Sequence, residues 1–382
     1  MKSVALIVED SLCEIEKNIR EAFEERENAF LSSKGCKSSR SKGRLAEEPL
    51  NPIRTVFEQD RDRIVYSNSF RRLKHKTQVF LSPFGAHYRT RLTHTLEVAQ
   101  ISRTISRALR LNEDLTEAIA LGHDLGHTPF GHSGETALKE IYSSTFSHNE
   151  QSLRVVDIIE NNGRGLNLTV EVRDGILKHS KGYGKIIPDD ASEMAMTYEG
   201  RIVRIADIMA YLNHDLDDAI RSGVITRNQI PELCVKHLGK SHSERADAMI
   251  RDVIRESGKP DGDIDLNMSS EIYDAMTLLR KFLYHNVYRS DKVHGEFVKA
   301  KKILTELYEF FLDDVNEERL IKELKSMDMG ALFDRFMGNG LISQGASTEF
   351  TRERIVCDMI ASLTDNRAMD LYRTIFFPKP MV

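Results

Sequence analysis

The chain has 382 residues, with 54 Lys plus Arg against 59 Asp plus Glu and a formal net charge of -5. That balance excludes a global electrostatic pull toward nucleic acid or an anionic membrane, so any basic patch has to be local. The four cysteines (Cys13, Cys36, Cys234, Cys357) are scattered and form no CxxC pair, which argues against both a disulfide framework and a thiolate zinc site.

The first apolar run, Val4 to Val8, is followed at once by Glu9 and Asp10 and is too short for a signal-peptide core or a membrane span. A cytoplasmic protein without membrane association is expected. Residues 1–55 read as an N-terminal helix followed by a flexible basic loop. Within them, Ser32 to Arg44 (SSKGCKSSRSKGR) holds Ser, Lys, Gly and Arg with no periodic apolar positions. Next, Thr77 to Leu81 and His87 to Arg91 flank the turn-forming Ser82, Pro83, Phe84 and Gly85, predicting one small β-hairpin.

From there apolar residues recur at three- and four-residue spacing. Leu92, Leu96, Val98, Ala99, Ile101, Ile105, Ala108 and Leu109 mark one broad helical face, and a second helix carries Leu115, Ile119 and Leu121. A long helix is predicted from Ser192 to Arg221, burying Ile202, Ile205, Ala206, Met209, Leu212, Leu216 and Ile220 and ending at Gly223. Further helices are expected over Glu271 to His285, Gly295 to Phe311 and Thr351 to Leu363, with a polar loop at Ser257 to Asp263. The expectation is an all-α fold with at most the small hairpin: a helical core over 56–230 and a C-terminal helical region over 231–382 packed on it.

Eight of the thirteen histidines (His75, His87, His94, His123, His127, His132, His148, His179) crowd into one stretch of chain. Its sharpest segment is GHDLGHTPFGH, Gly122 to His132, which begins where a helix runs out into Gly126, Pro129 and Gly131. A His-Asp pair at such a helix end supplies one neutral imidazole nitrogen and one charged oxygen, a combination suited to a divalent cation. Two more ligands are needed. His94 starts the preceding helix, and Asp207 sits inside an apolar run (Ile202, Val203, Ile205, Ile208, Met209), where a carboxylate needs a partner.

The segments RDRIVYSNSFRRLKHKTQVF (Arg61 to Phe80), RTRLTH (Arg89 to His94), GHDLGHTPFGHSGE (Gly122 to Glu135), HNEQS (His148 to Ser152), YEGRIVRIADIMAYLNHDLDDAIRSG (Tyr198 to Gly223) and VCDMIASLTD (Val356 to Asp365) occur in that order. As a set they resemble the HD-domain deoxyguanosine triphosphate triphosphohydrolases and deoxynucleotide triphosphohydrolase-like proteins. The resemblance implies the HD-domain helical fold, with His94, His123, Asp124 and Asp207 as metal ligands. The donor set is compatible with Mg, Mn, Fe, Co or Zn. It also implies hydrolysis at the α-phosphorus of a deoxynucleoside triphosphate, releasing deoxynucleoside and inorganic triphosphate, with His132 and Glu135 as the catalytic pair.

His127 and His148 match further active-site positions, against phosphates or the leaving 5′ oxygen. Gln78 is placed by the resemblance at the deoxyribose 3′ hydroxyl. Asp215 can accept that hydroxyl's proton, and Tyr211, one turn after Asp207, can pack on the sugar and exclude a 2′ hydroxyl. Arg91 suits a phosphate clamp, and Arg71 and Arg72 are further candidates. One departure is visible: many relatives carry an acidic residue after the metal-binding aspartate, and Ile208 stands there in this chain. The family further implies a homo-oligomer, a tetramer or hexamer, and leaves open an allosteric nucleotide.

Two other readings stand beside this one. An HD phosphohydrolase for another nucleotide, such as a monophosphate or a guanosine alarmone, would share the metal site and differ in its recognition residues. A nucleotide sensor, or a weak binder of single-stranded nucleic acid with secondary catalysis, would use the basic runs Lys34 to Arg44 and Arg71 to Lys76.

Overall fold

The computed structural model describes residues 19–78, 89–180, 184–259, 263–341 and 350–378. Among these the chain is helical throughout, with no strand and three isolated antiparallel bridges. No helix among them is long and apolar enough to cross a membrane.

The helices that build and support the site are α1 (Val56–Tyr66), α2 (Arg91–Ala108), α3 (Glu113–Gly122), α4 (His132–Ile141), α5 (His148–Arg154), α6 (Val170–Lys178) and α7 (Tyr198–Arg221). Beyond them come α8 (His242–Ser257), α9 (Ser270–Leu283), α10 (Asp291–Leu312), α11 (Arg352–Ser362) and α12 (Asp365–Phe376). Helix α7 is the axis of the core, touching α2, α3, α6, α8 and α9. Its apolar side chains are buried nearly all round, Ile202, Val203, Ile205, Ala206, Met209, Ala210, Leu212 and Leu216 included, as expected of a helix with neighbours on every side.

Local chemistry explains the helix starts. Thr197 caps α7 by accepting the Gly200 N–H at 3.2 Å, so the helix opens at Tyr198, and the expected start at Ser192 is instead a separate 3-10 turn, Ala191–Glu193. Asn112 accepts the Asp114 and Leu115 N–H groups at the head of α3. Along α2 the expected face is broken at two places: Leu96 is half exposed and Ala108 is exposed, because the helix turns those positions away from α3 and α7.

Of the expected hairpin, residues 79–88 lie outside the described residues. Thr77 and Thr90 form one antiparallel bridge, and Arg91 belongs to α2, whose first turn the Thr93 hydroxyl closes by accepting the Thr90 N–H at 3.2 Å. Helices over Ser270–Leu283, Asp291–Leu312 and Arg352–Ser362 stand where the C-terminal helices were expected, the first running on into a π-helical turn, Tyr284–Tyr288.

The basic segment Ser32 to Arg44 is the main correction. Its composition predicts a free tether, but buried carboxylates hold it to the core. Glu27 accepts from the Ser38 N–H and hydroxyl, Glu199 from the Cys36 N–H, and Glu171 from the Lys42 N–H and Ser41 hydroxyl. Arg44 then pairs with the fully buried Asp60. Acidic partners, two of them, Glu171 and Glu199, more than a hundred residues away in sequence, supply what apolar periodicity does not.

Candidate active site

The segment from His123 to Gly131 is a loop between α3 and α4, pressed against α5 through Gly126. A Cβ at Gly126 would stand 2.1 Å from the Ser152 backbone nitrogen, so only glycine lets the loop approach. Ser152 completes the contact, receiving the Gly126 N–H at 2.9 Å and donating to the His123 carbonyl at 2.7 Å. At the far end Phe130 and Gly131 both take positive φ, 61° and 60°. For a bulky residue such as Phe130 that conformation costs about 1–3 kcal/mol and persists only under external constraint. Asp365, at the start of α12, supplies it by accepting the Phe130 N–H at 2.9 Å and the Thr77 N–H at 3.0 Å. Lys76, fully buried, donates to the His127 and Ala361 carbonyls. The C-terminal region therefore holds the loop that carries the histidines.

Four side chains meet there. His94 Nε2 lies 3.1 Å from Asp207 Oδ1 and 3.9 Å from Asp124 Oδ2, and His123 Nε2 lies 3.7 Å from Asp124 Oδ1 and 3.9 Å from Asp207 Oδ1. His123 gives its Nδ1 proton to the Ala120 carbonyl at 2.6 Å, which leaves Nε2 as a lone pair. That atom is buried and has no hydrogen-bond partner. An orphaned buried nitrogen facing two carboxylates fits a cation, and two imidazoles with two carboxylates suit a borderline divalent metal.

Charge is arranged accordingly. Burial would raise Asp124, but the Arg91 guanidinium, 2.6 Å away, and the surrounding imidazoles hold it well below the carboxylate range. Burial pushes His123 down, keeping it neutral.

A second group of side chains adjoins the first. His148 stacks on His127 with centroids 4.7 Å apart, and its Nδ1 lies 3.1 Å from Glu135 Oε2. Burial opposes a charge on His148, but Glu135 outweighs it and raises the imidazole. His132 is the exposed member, with 64% of its side chain accessible, and its Nδ1 is 3.6 Å from the same Glu135 oxygen. Glu135 thus faces both imidazoles, the hydrogen bond going to His148, and also accepts from Lys139 at 2.9 Å.

Both groups open into one cavity of about 670 Å3 lined by Gln78, Arg91, His94, Asp124, His127, His132, His148, Asp207, Tyr211 and Asp215. Of the candidate residues, His123, Glu135, Arg71 and Arg72 are absent from this lining, and the others face that space. Arg71 and Arg72 do not line it: Arg71 bonds Asn68, and Arg72 reaches Ser69 and Glu160. Arg91 is buried against Asp124, a position different from an exposed phosphate clamp. Gln78 Oε1 is buried without a partner, whereas Asp215 Oδ2 accepts the Tyr288 hydroxyl at 2.6 Å.

Sequence reasoning missed the far wall of the cavity, formed by Arg280, Tyr284, Tyr288, Arg289, His294 and Phe297. The four-residue spacing of Arg280, Tyr284 and Tyr288 was the available signal. Sequence reasoning counted His179 in the histidine cluster without giving it a role, and the His179 Nε2 is 3.1 Å from His148 Nε2; it missed His214, which meets His94.

Comparison with known proteins identifies the family. Residues 91–212 match the HD domain and 266–374 the phosphohydrolase-associated domain. A deoxyguanosinetriphosphate triphosphohydrolase-like protein of Desulfatibacillum aliphaticivorans is 59% identical over 95% of this chain and 99% of its own length. Proteins of the same description from Caldanaerobacter subterraneus and Clostridium tetani are 50% and 41% identical, covering 95% and 96% of this chain and 97% and 98% of their own. A crystal structure of a hypothetical protein from Aquifex aeolicus, 19% identical, aligns over 65% of this chain and 59% of its own with a TM-score of 0.38. The chain belongs to the deoxyguanosinetriphosphate triphosphohydrolase-like family of HD-domain proteins.

Proposed function

We propose that the protein is a metal-dependent triphosphohydrolase that cleaves deoxynucleoside triphosphates, dGTP or several of them, to deoxynucleoside and inorganic triphosphate. The observation that carries this reading is the convergence of His94, His123, Asp124 and Asp207 around an unpartnered imidazole nitrogen, at the floor of a cavity large enough for a nucleotide. These four residues would hold a divalent ion, whose chemistry there is to polarise a phosphoryl oxygen and make water more acidic.

The rest falls to the chain itself. The water oxygen bonds to the α-phosphorus as the bond to the 5′ oxygen breaks, and that oxygen needs a proton. His132, on the cavity rim with Nδ1 turned to Glu135, presents Nε2 for the transfer. His148, whose charged form Glu135 favours, and the wall residues Arg280 and Arg289 offset phosphate charge. Gln78 and Asp215 are the polar groups available to the sugar, with Tyr211 beside them. The test is to supply Mn2+ or Mg2+ and each deoxynucleoside triphosphate, singly and mixed, and to identify the phosphate product. Triphosphate is expected, and pyrophosphate or orthophosphate as the primary product would exclude attack at the α-phosphorus.

A further inference from the structure

One metal-ligand candidate, Asp207, and two sugar-recognition candidates, Tyr211 and Asp215, stand on the same helix, α7, and a fully buried side chain of that helix, His214, lies between Asp215 and His94. His94 Nδ1 lies 2.9 Å from His214 Nε2. His214 Nδ1 in turn lies 2.8 Å from Asp215 Oδ1, a close contact bent away from hydrogen-bond alignment. The other Asp215 oxygen accepts the Tyr288 hydroxyl at 2.6 Å. The two rings stand nearly perpendicular, 83° apart with centroids at 5.0 Å, a geometry that aims a nitrogen of one at a nitrogen of the other. A line of close polar contacts thus runs from Asp207 through His94, His214 and Asp215 to Tyr288, from the floor of the cavity to its far wall, with hydrogen bonds at His94–His214 and Asp215–Tyr288 and a bent contact between His214 and Asp215.

We propose that His214 is a positioning residue that couples metal binding at His94 to recognition of the sugar hydroxyl at Asp215. The inference rests on reading His94 as a metal ligand. A ligating Nε2 must be bare, so the His94 proton sits on Nδ1 and is donated to His214 Nε2. The single proton of His214 then sits on Nδ1, facing Asp215. Each ring has one proton and one lone pair, so occupation of the metal site dictates the orientation of both imidazoles and the charge that Asp215 sees. Asp215, with one oxygen turned to His214 and the other receiving Tyr288, keeps its remaining lone pairs for a hydroxyl in the cavity. The reverse proton order, His214 donating to His94, places a proton on His94 Nε2 toward Asp207 and is incompatible with a metal there. Groups that orient ligating imidazoles change metal affinity by about 10- to 100-fold when removed.

The experiment uses the full chain and two readouts. The first is Mn2+ affinity, from titration of metal-free protein with Mn2+ alone. The second is the ratio of kcat/KM for a deoxynucleoside triphosphate to that for its 2′,3′-dideoxy counterpart. His214→Ala is expected to weaken Mn2+ binding by about 10- to 100-fold and to lower the 3′-hydroxyl ratio toward that of Asp215→Asn. His214→Gln, whose amide oxygen can accept from His94 and whose NH2 can donate to Asp215, is expected to recover part of both. If His214→Ala fails to fold, His214→Gln and Asp215→Asn carry the comparison.

Mn2+ affinity within twofold of the parent in folded His214 variants overturns the proposal, and so does a loss of affinity with the 3′-hydroxyl ratio unchanged. Failure of the parent to release triphosphate from any deoxynucleoside triphosphate would instead sink the proposed function. The Mn2+ titration would still decide whether His214 supports His94.

Discussion

Replacing Arg91 by methionine separates two roles that sequence and structure assign to it differently, phosphate clamp and partner of Asp124. The guanidinium is buried and 2.6 Å from Asp124 Oδ2, with Nη2 reaching the Gln78 carbonyl at 3.5 Å and Nε left without a partner. Methionine keeps most of the volume and removes the charge, leaving a buried carboxylate without its guanidinium partner. Breaking a buried ion pair in this way costs about 3–5 kcal/mol. With unfolding entropy of about 2 cal/mol/K per residue, over 382 residues that corresponds to a fall in Tm of about 4–6 °C.

The loss should depend on the metal. With a chelator present, Asp124 has no cation and the whole fall appears. With saturating Mn2+, a cation replaces Arg91 as its partner and the fall should shrink to about 1–2 °C, the residue of one weak hydrogen bond and altered packing. The assay is a pair of calorimetric melts for parent and variant, with chelator and with Mn2+. Equal falls in both conditions would refute the reasoning, because Asp124 would then not face the metal position.

Four other outcomes are expected. Asp207→Ala should lose both metal and turnover while the circular dichroism spectrum stays helical, and activity in the chelator-treated variant would contradict the ligand assignment. His132→Ala should keep its metal and lose about 10²- to 10⁴-fold in single-turnover rate. Glu135→Ala should lose less, and the double variant should fall little below His132→Ala, whereas additive losses would mean that the two do not act together. Asp358→Ala should lower stability by about 3–5 kcal/mol in denaturant titration, because this fully buried carboxylate accepts from Gln151 at 2.9 Å, Arg154 at 2.8 Å and Arg354 at 2.6 Å, tying α11 to α5; a change below about 1 kcal/mol would contradict the network.

The fourth concerns Glu199, where burial pushes the carboxyl up to about 7 and one oxygen accepts the Cys36 and Asn112 N–H groups while the other is orphaned. Because the folded value lies above the ordinary 4.5, its contribution is fully present below about pH 4.5 and is lost as pH rises through about 7. Glu199→Gln should therefore melt closer to its pH 5 value at pH 8 than the parent does, and an unchanged pH slope would contradict this.

Much of the site was legible in sequence because its chemistry is local. The His123–Asp124 pair at a helix end, and Asp207 in an apolar run, are anomalies that the one-dimensional pattern exposes, and three- and four-residue periodicity marks an all-α chain. What periodicity cannot register is a polar contact between distant segments. The composition of Ser32 to Arg44 reads as a tether, yet Glu27, Glu171 and Glu199 fold it onto the core. Glu135 is three residues from His132, but its hydrogen bond goes to His148, thirteen residues away, because α5 is packed across the loop through Gly126.

The same holds for the support behind the ligand candidates. His214 looks like one more residue of a buried helix, and only the crossing of α2 and α7 turns it toward His94. The far wall of the cavity comes from residues 280–297. The sequence by itself determined which side chains can hold a cation. Tertiary packing decided which charge each one faces, since a carboxylate or imidazole inside a protein is governed by whatever the fold places within about 4 Å of it.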